Sequence, residues 1–558
     1  MEIEGIRRND GSEYRSRSLR SIQHQLRIDA ELQQTLIQQG KAIVRSLFIL
    51  IAFLYLFHPY TTNAAICTAT LPPGVTTDAA FDQLLSTCAG KEIQFASGTY
   101  RFVPSGEQIG FYIPAGTTLT GKGNSSVVNP TIFEVASTGS YRSLLWARNA
   151  SNITIQDIAF EGIDSTNNLS YSSGCPEKDF GRAIWIQSDA QTDPATLSSV
   201  ENITIQNDSF RDFNGASWIR VAAADNSPGV GQSTEIAIRT NSFYTDSLIN
   251  GGCSAKQVGG GYARYMIDLE GGTTQGSVNG FVRNVSVASN NPMNASYIEG
   301  AISVWSNVSN VSLQFNTIPG AGNQVAPVAN PMSLELLQYA IVVYDAAHGQ
   351  TSPPDSVWIV GNSIQNGVSA GIYTAGATNL AIYQNSISGQ SDPFDTTLPK
   401  GAIALNASTT MPSRPMVDNN LAANYIGLSI VGGNISAGSN TITVPGGSFG
   451  MKLGSSNPGE APSMLSIRGA TLTTTATANA TSIIGFGTNF ASGFLGVTQS
   501  GWTTSGGSNR GLSWFPTFAD STSFSNAYTA FSSVPHFTFG DPVNPLTANG
   551  ALQTSFWH

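Results

Sequence analysis

Residues 152–160, NITIQDIAF, and 202–210, NITIQNDSF, place apolar side chains at alternate positions in two nearly identical stretches. Related stretches follow: EIAIRTNSF from Glu235, NVSVASNNP from Asn284, NVSLQFNTI from Asn310, SVWIVGNSI from Ser356 and NLAIYQNSI from Asn379. A half-buried strand requires such alternation, because successive side chains point to opposite faces. The second residues of these copies, Ile153, Ile203, Ile236, Val285, Val311, Val357 and Leu380, are 50, 33, 49, 26, 46 and 23 positions apart. Most intervals lie near one or two multiples of about 24, and a fixed period of that size marks a solenoid with one coil per period.

At the seventh place of the later copies stands Asn: Asn241, Asn290, Asn316, Asn362 and Asn385, with Ile158 and Asp208 there in the first two. Asn tolerates left-handed backbone and bonds its neighbours in a tight bend, so stacked coils are expected to carry an Asn ladder at one corner. A second family of short strands falls between the copies, as in GRAIWIQ from Gly181, YMIDLEG from Tyr265 and YAIVVYD from Tyr339. Two strand families per period require at least two sheets. Each buried aliphatic contributes roughly 1.5 to 3 kcal/mol, so a single coil has too little core and the stack holds cooperatively.

The pattern resembles the right-handed parallel β-helix of the pectate-lyase-like superfamily. The entry segment is similar too: a helix predicted at Thr76–Ser86, then KEIQFASGTYRF, then FYIPAGTTLTGKGNSSV. The resemblance covers about residues 66 to 435 and implies an all-β solenoid whose open first coil is covered by an N-terminal capping helix. The signatures that would transfer an activity are missing. Neither the Asn-Thr-Asp, Gly-Asp-Asp, Gly-His-Gly and Arg-Ile-Lys set of polygalacturonases nor the Trp-Ile-Asp-His and Arg-x-Pro-x-x-Arg runs of calcium-type pectate lyases occurs.

Outside the solenoid the text changes. Residues 1–45 form a polar leader; residues 46–65 include the uncharged apolar run Leu47–Phe57 behind Lys41 and Arg45 and before Ala64 and Ala65. That order is the order of a secretory signal, and the run is shorter than the roughly 20 residues a bilayer-spanning helix needs. The expectation is a secreted or cell-surface protein that touches a membrane only through this segment, cleaved or kept as an anchor. Residues 66–440 make the β-helix, and 441–558, rich in Gly, Ser and Thr, a further β region or last irregular coils.

Composition sharpens this picture. Only 11% of residues are charged, and 57 are Gly, which suits a turn-rich β protein. The first 45 residues hold 8 of the 26 basic and 6 of the 36 acidic side chains, leaving 18 against 30 for the remainder. Such an acidic body excludes nucleic acid as a partner. The four cysteines, Cys67, Cys88, Cys175 and Cys253, all follow the apolar run. An even number in an oxidising compartment suggests disulfides, Cys67 with Cys88 first among them, and no Cys/His spacing resembles a zinc site.

Alternation along the second strand family assigns Ile184, Ile219, Ile267 and Ile302 to the interior and Trp185, Arg220, Asp268, Glu270, Trp305, Tyr344 and Tyr373 to the outside, with Asp345 and His348 just past a strand end. Exposed aromatics beside acids and a base on one long face fit a polysaccharide groove, since rings stack on sugars and charged groups fix hydroxyls or uronates. Asp268 and Glu270 share a face at i and i+2 and suit the acid and base of a glycoside hydrolase; Arg220 or His348 would serve a lyase by neutralising a uronate or taking the C5 proton. Trp185, Trp305, Tyr344, Asp345 and Tyr373 are the substrate-binding candidates. No cofactor is predicted, although calcium is compatible with acids facing an anionic sugar. A monomeric protein is expected, either polysaccharide-active or a non-catalytic adhesive β-helix, and the fold alone does not choose. Triplets at Asn149, Asn202 and Asn310 match glycosylation sequons, but they coincide with the strand repeat.

Overall fold

The computed structural model describes residues from 65 to 539, interrupted by segments of which 163–181, 246–264, 322–338 and 519–536 are the longest, and side-chain surroundings as far as 442. The polar leader, the run Leu47–Phe57, Cys175, Cys253, Asp345 and His348 lie outside the described residues. No described helix is long and apolar enough to cross a membrane.

Within the described chain, most coils give one strand to each of three sheets. The coil that starts with Ile153–Gln156 continues through Ala159–Glu161 to Arg182–Ser188, and the next returns at Ser198–Gln206 directly beside the first. In every large sheet the strands stand in chain order, the largest having 14 strands from Phe111–Tyr112 to Phe537–Phe539. Apart from one hairpin, Thr273–Thr274 with Ser277–Val278, the pairings among named strands are parallel. The parallel β-helix expected from the repeats is therefore what the chain forms.

Register explains why the repeats are aliphatic. Ile153, Ile203, Ile236, Val285, Val311 and Val357 pair in succession, and Ile155, Ile205, Ile238, Val287, Leu313 and Ile359 make a second row beside them. All twelve are at most 2% exposed. β-Branched residues are stiff and fit the pleat, so the strand state and the buried row reinforce each other. Phe160, Phe210 and Phe243 extend the same logic in the 8-stranded sheet, where they pair in register with rings stacked at centroid distances of 5.0 and 4.9 Å.

The corners carry the Asn residues. Asn152, Asn202, Asn284, Asn310 and Asn379 all adopt positive φ between 50° and 60°, as do Glu235 and Ser356 at equivalent places, a backbone region that Asn enters more cheaply than other non-glycine residues. At the next corner the ladder runs from Asp208 through Asn241, Asn290, Asn316, Asn362, Asn385 and Asn419 to Asn440, each backbone N–H donating to the side-chain oxygen one coil on. Asn316 shows the full pattern. Its Oδ1 accepts from the N–H and Nδ2 of Asn290 (3.1 and 2.9 Å), and its Nδ2 donates to the Val287 carbonyl and to Asn362 Oδ1, both at 3.0 Å. Buried backbone groups that face a bend rather than a strand partner are thus satisfied by side chains.

The helix Asp78–Thr87 lies against the first coil. Phe81 sits within 4.8 to 6.1 Å, centroid to centroid, of Phe95, Phe102, Phe111 and Phe133, and Leu84 and Leu85 are buried with it. Cys67 and Cys88 are bonded across it, their Cα atoms 5.5 Å apart.

Candidate functional site

Strands of the 14-stranded sheet do not alternate strictly. In Tyr265–Gly271 both Met266 and Ile267 enter the core, then Asp268 points out, Leu269 in and Glu270 out. Ser217–Ala223 repeats this with Trp218 and Ile219 inside, and Tyr339–Tyr344 with Ala340 and Ile341. Two consecutive inward residues shift the phase, so the first residue of each strand faces out. Tyr265 and Tyr339 accordingly join Val342, Tyr373, Ala375 and Ala404 in a separate apolar cluster on the outer wall. Strict alternation from Ile267 or Ile341 hides both tyrosines; the doubled apolar pair behind an aromatic residue is the signal that reveals them.

Parallel register then stacks the outward side chains into columns. One column reads Tyr112, Trp146, Trp185, Arg220, Asp268, Ser303, Val342 and Tyr373. A second reads Arg148, Gln187, Ala222 and Glu270, continued by Trp305 and Tyr344, which follow the paired Val304 and Val343. Neighbouring positions in a column are about 4.8 Å apart, close enough for ring stacking and ion pairing.

The first column begins as an aromatic pile. Tyr112 stacks on Trp146 at 5.1 Å, and Trp146 on Trp185 at 4.8 Å with only 7° between planes. The Arg220 guanidinium lies 5.5 Å from the Trp185 ring centre, and that of Arg182 5.0 Å from it. Arg220 Nη2 donates to Glu270 Oε2 at 2.7 Å, and Arg220 Nε stands 3.8 Å from Asp268 Oδ2. Asp268 Oδ1 accepts from Ser303 Oγ (2.6 Å) and from Trp305 Nε1 (2.7 Å). Arg220, Asp268, Glu270 and Trp305, brought from three adjacent coils, thus form one connected cluster. Trp305 meets Tyr344 edge to face at 5.7 Å and Tyr265 at 6.4 Å.

Accessibility divides the cluster. The side chains of Arg220 and Asp268 are 9% and 14% exposed, whereas Glu270 is 42% exposed. Trp305 and Tyr344 are half-buried. The expectation of open aromatics does not hold for Trp185 and Tyr373, which are buried: Trp185 is held between Trp146 and the guanidinium of Arg220, and Tyr373 stacks on Tyr339 at 4.4 Å. Ser303, Trp146 and Tyr112 also belong to this wall but are not legible as candidates, because their partners lie 34 to 39 residues away in sequence, and Arg182 joins them beside Trp185. Among the described residues no cluster of His, Cys, Asp and Glu is arranged to hold a metal ion.

No protein-family model and no curated protein matches the sequence. Among solved structures the chain is similar to the A-module of the mannuronan C-5 epimerase AlgE6 of Azotobacter vinelandii, at 13% identity and a TM-score of 0.43, over 78% of this chain and 98% of that one. It is also similar to PfbA, a surface adhesin of Streptococcus pneumoniae, at 12% identity and a TM-score of 0.46, over 81% and 91% of the two chains. A third likeness is to the catalytic unit of a GH87 alpha-1,3-glucanase from Streptomyces thermodiastaticus, at 13% identity and a TM-score of 0.34, over 81% and 70%. At such distances the likenesses carry no chemistry to this chain; the solenoid rests on its own strand register.

Proposed function

We propose that this chain is an exported β-helix protein that engages polysaccharide along the outer wall of its largest sheet. The observation behind this reading is the connected cluster of Arg220, Asp268, Glu270 and Trp305 beside the half-buried Tyr344. Rings for stacking, with a carboxylate alongside to accept hydroxyl hydrogens, are the ordinary means of holding a sugar.

In the enzymatic form of this reading, a glycoside bond lies across Glu270. Both acids accept hydrogen bonds from neighbouring donors, and Glu270 is the more open of the two. Glu270, the open one, is the base or nucleophile; Asp268, tied by Ser303 and Trp305, fixes Arg220 and Trp305 in place. His348 stays a catalytic candidate for the lyase form, as the base that takes the C5 proton, and Asp345 a substrate-binding one. Substrate contact is assigned to Trp305 and Tyr344, with Trp185 and Tyr373 supporting the wall from beneath.

A second reading, an adhesive that binds glycan without turning it over, is favoured by the same pairing, because Asp268 is tied down by Ser303 and Trp305 and Arg220 by Glu270. The two separate in one assay series. Secreted protein is screened on plant and microbial polysaccharides for new reducing ends, for absorbance of unsaturated uronides and for binding. Turnover that disappears in the Asp268→Ala/Glu270→Ala double variant establishes the enzyme at this site. Turnover that survives it removes the site assignment, and binding without turnover establishes the adhesive.

A further inference from the structure

The letters Asn-Ile-Thr-Ile-Gln occur on two adjacent coils, from Asn152 and from Asn202, and pair in register. Each Asn-Ile-Thr is a sequon for N-linked glycosylation, and the tripeptide does not distinguish one from the other. The fold does. Asn202 Nδ2, the nitrogen that would carry the sugar, donates to Asn152 Oδ1 at 2.8 Å. Further along the same corner, Asn284 Nδ2 donates to Thr234 Oγ1 at 3.2 Å, and Asn310 Nδ2 to Asn284 Oδ1. Each of these amide nitrogens reaches back to the coil before it.

Asn152 stands where that row begins. Thr118 pairs with Thr154, which sets Gly116 in the place equivalent to Asn152. The backbone is the same at both: φ is 75° at Gly116 and 60° at Asn152, and the Gly116 N–H donates to the Ser151 carbonyl as the Asn152 N–H donates to that of Glu201. A glycine offers no side-chain oxygen. Among the described residues Asn152 Nδ2 therefore finds no acceptor, and the residue is exposed, while its Oδ1 still accepts from Asn202. Other sequons are closed as Asn202 is. Asn149 Nδ2 donates to Asp189 Oδ2 at 3.0 Å, Asn124 Nδ2 to the Asn207 carbonyl at 2.7 Å, and Asn307 Nδ2, in a residue 3% exposed, to the Gly272 carbonyl at 3.0 Å.

We propose that Asn152 is a site of N-linked glycosylation, and that Asn202, with the same tripeptide, carries no sugar in the folded protein. The inference rests on the reading of the chain as exported, because the sugar comes from a lipid-borne glycosyl diphosphate of the export route. Asn152 Nδ2 bonds to the anomeric carbon, the bond from that carbon to the diphosphate oxygen breaks, the diphosphate leaves with the bonding pair, and the amide gives up one proton. One N–H stays on Nδ2, and Oδ1 keeps its bond from Asn202. A bulky sugar belongs on open surface. At Asn202 the same transfer has to place a ring beside a nitrogen held against the preceding coil, about 4.8 Å away, so the row opens before such a chain can close its coils.

The test secretes the full chain from cells that glycosylate a co-expressed reporter glycoprotein. Enzymatic release of N-glycans in heavy-oxygen water converts each formerly occupied Asn to labelled Asp, and mass spectrometry of the peptides reads occupancy at both positions. Asn152 is expected to be occupied about tenfold or more above Asn202. Asn152→Gln should remove one glycan's mass from the intact protein, and Asn202→Gln should leave that mass in place. Thr154→Val, which ends the sequon but spares the Oδ1 that Asn202 uses, should act as Asn152→Gln does; the wild-type occupancy needs neither variant to fold. A bare Asn152 in the secreted chain, or equal occupancy at the two positions, overturns the inference and leaves export intact. A chain retained in cells that release the reporter overturns the export reading and the inference with it.

Discussion

At the corner that holds Asn241, Asn290, Asn316, Asn362 and Asn385, successive coils carry the same residue in the same hydrogen-bond geometry. On the outer wall of the largest sheet the equivalent series reads Trp146, Trp185, Arg220, Asp268, Ser303, Val342 and Tyr373, a different chemistry at almost every step. Both columns have the same spacing and strand order, so geometry does not account for the contrast. The corner has one task, to satisfy buried backbone groups at a bend, and one residue does it best. The wall has no such repeated task, so no single residue recurs along it.

Substitution can break the contrast, and the largest effect is expected at the corner. Asn316→Ala removes four side-chain hydrogen bonds and strands the Val287 carbonyl and the Asn290 amide in a buried place. A loss of about 3 kcal/mol is expected, read as a fall in the denaturant midpoint. A midpoint within experimental error of wild type would show the ladder to be decorative.

Asp208 tests the corner from the other direction. It heads the ladder as an acid: Oδ1 accepts the Ile158 N–H at 2.8 Å, and Oδ2 is buried without a hydrogen-bond partner. Burial pushes its carboxyl well above the usual carboxylate range, against the pull of the Ile158 N–H, and neighbouring Asp157 adds to the rise. A carboxyl raised in the folded state contributes most below its unfolded value, 3.8, and loses that contribution as pH climbs toward the folded value. Asp208→Asn is therefore expected to gain about 1 kcal/mol near neutral pH. The gain should shrink on acidification toward pH 4, as followed by urea unfolding across that range.

Effects on the wall are smaller for stability and larger for ligand. Trp305→Phe keeps the ring and deletes the Nε1–H bond to Asp268; less than about 1 kcal/mol of stability should go, with a several-fold loss of glycan affinity in the same preparation. Were stability to fall as far as in Asn316→Ala, the wall would be scaffold too. The smallest effect belongs to Glu235, which stands at φ 55° where equivalent places in most coils carry Asn. Glu235→Asn is expected to raise stability by about 0.5 kcal/mol, read as a higher denaturant midpoint, since Asn bears that backbone more cheaply.

The same contrast explains what was legible in the sequence. Aliphatic rows and the central Asn residues announce themselves because each coil repeats them, and a repeated physical demand leaves a repeated letter. Asn419 and Asn440 went unnoticed because the flanking strands, NLA at Asn420 and TITV at Thr441, no longer resemble NITIQ. The wall was legible only in part. Alternation places Arg220, Asp268 and Glu270 on one face, but the doubled inward pair at Met266 and Ile267 moves Tyr265 to the outside, and only that doubled pair, not the alternation, signals the slip. Ser303 reaches Asp268 across 35 positions and Trp305 across 37, and a contact made once leaves no periodic trace.

The link between Cys67 and Cys88 gives the spiral a direction. A coil can leave such a stack only where it has a neighbour on one side alone, at either extremity. At the beginning, departure would drag along the helix Asp78–Thr87 and its phenylalanines, which the bond ties back toward Glu92, whose carbonyl accepts the Cys67 N–H at 2.8 Å. No second bond of that sort joins described residues further on. Reduction of this bond is therefore expected to let force or proteases peel away the opening coils sooner than in the oxidised chain.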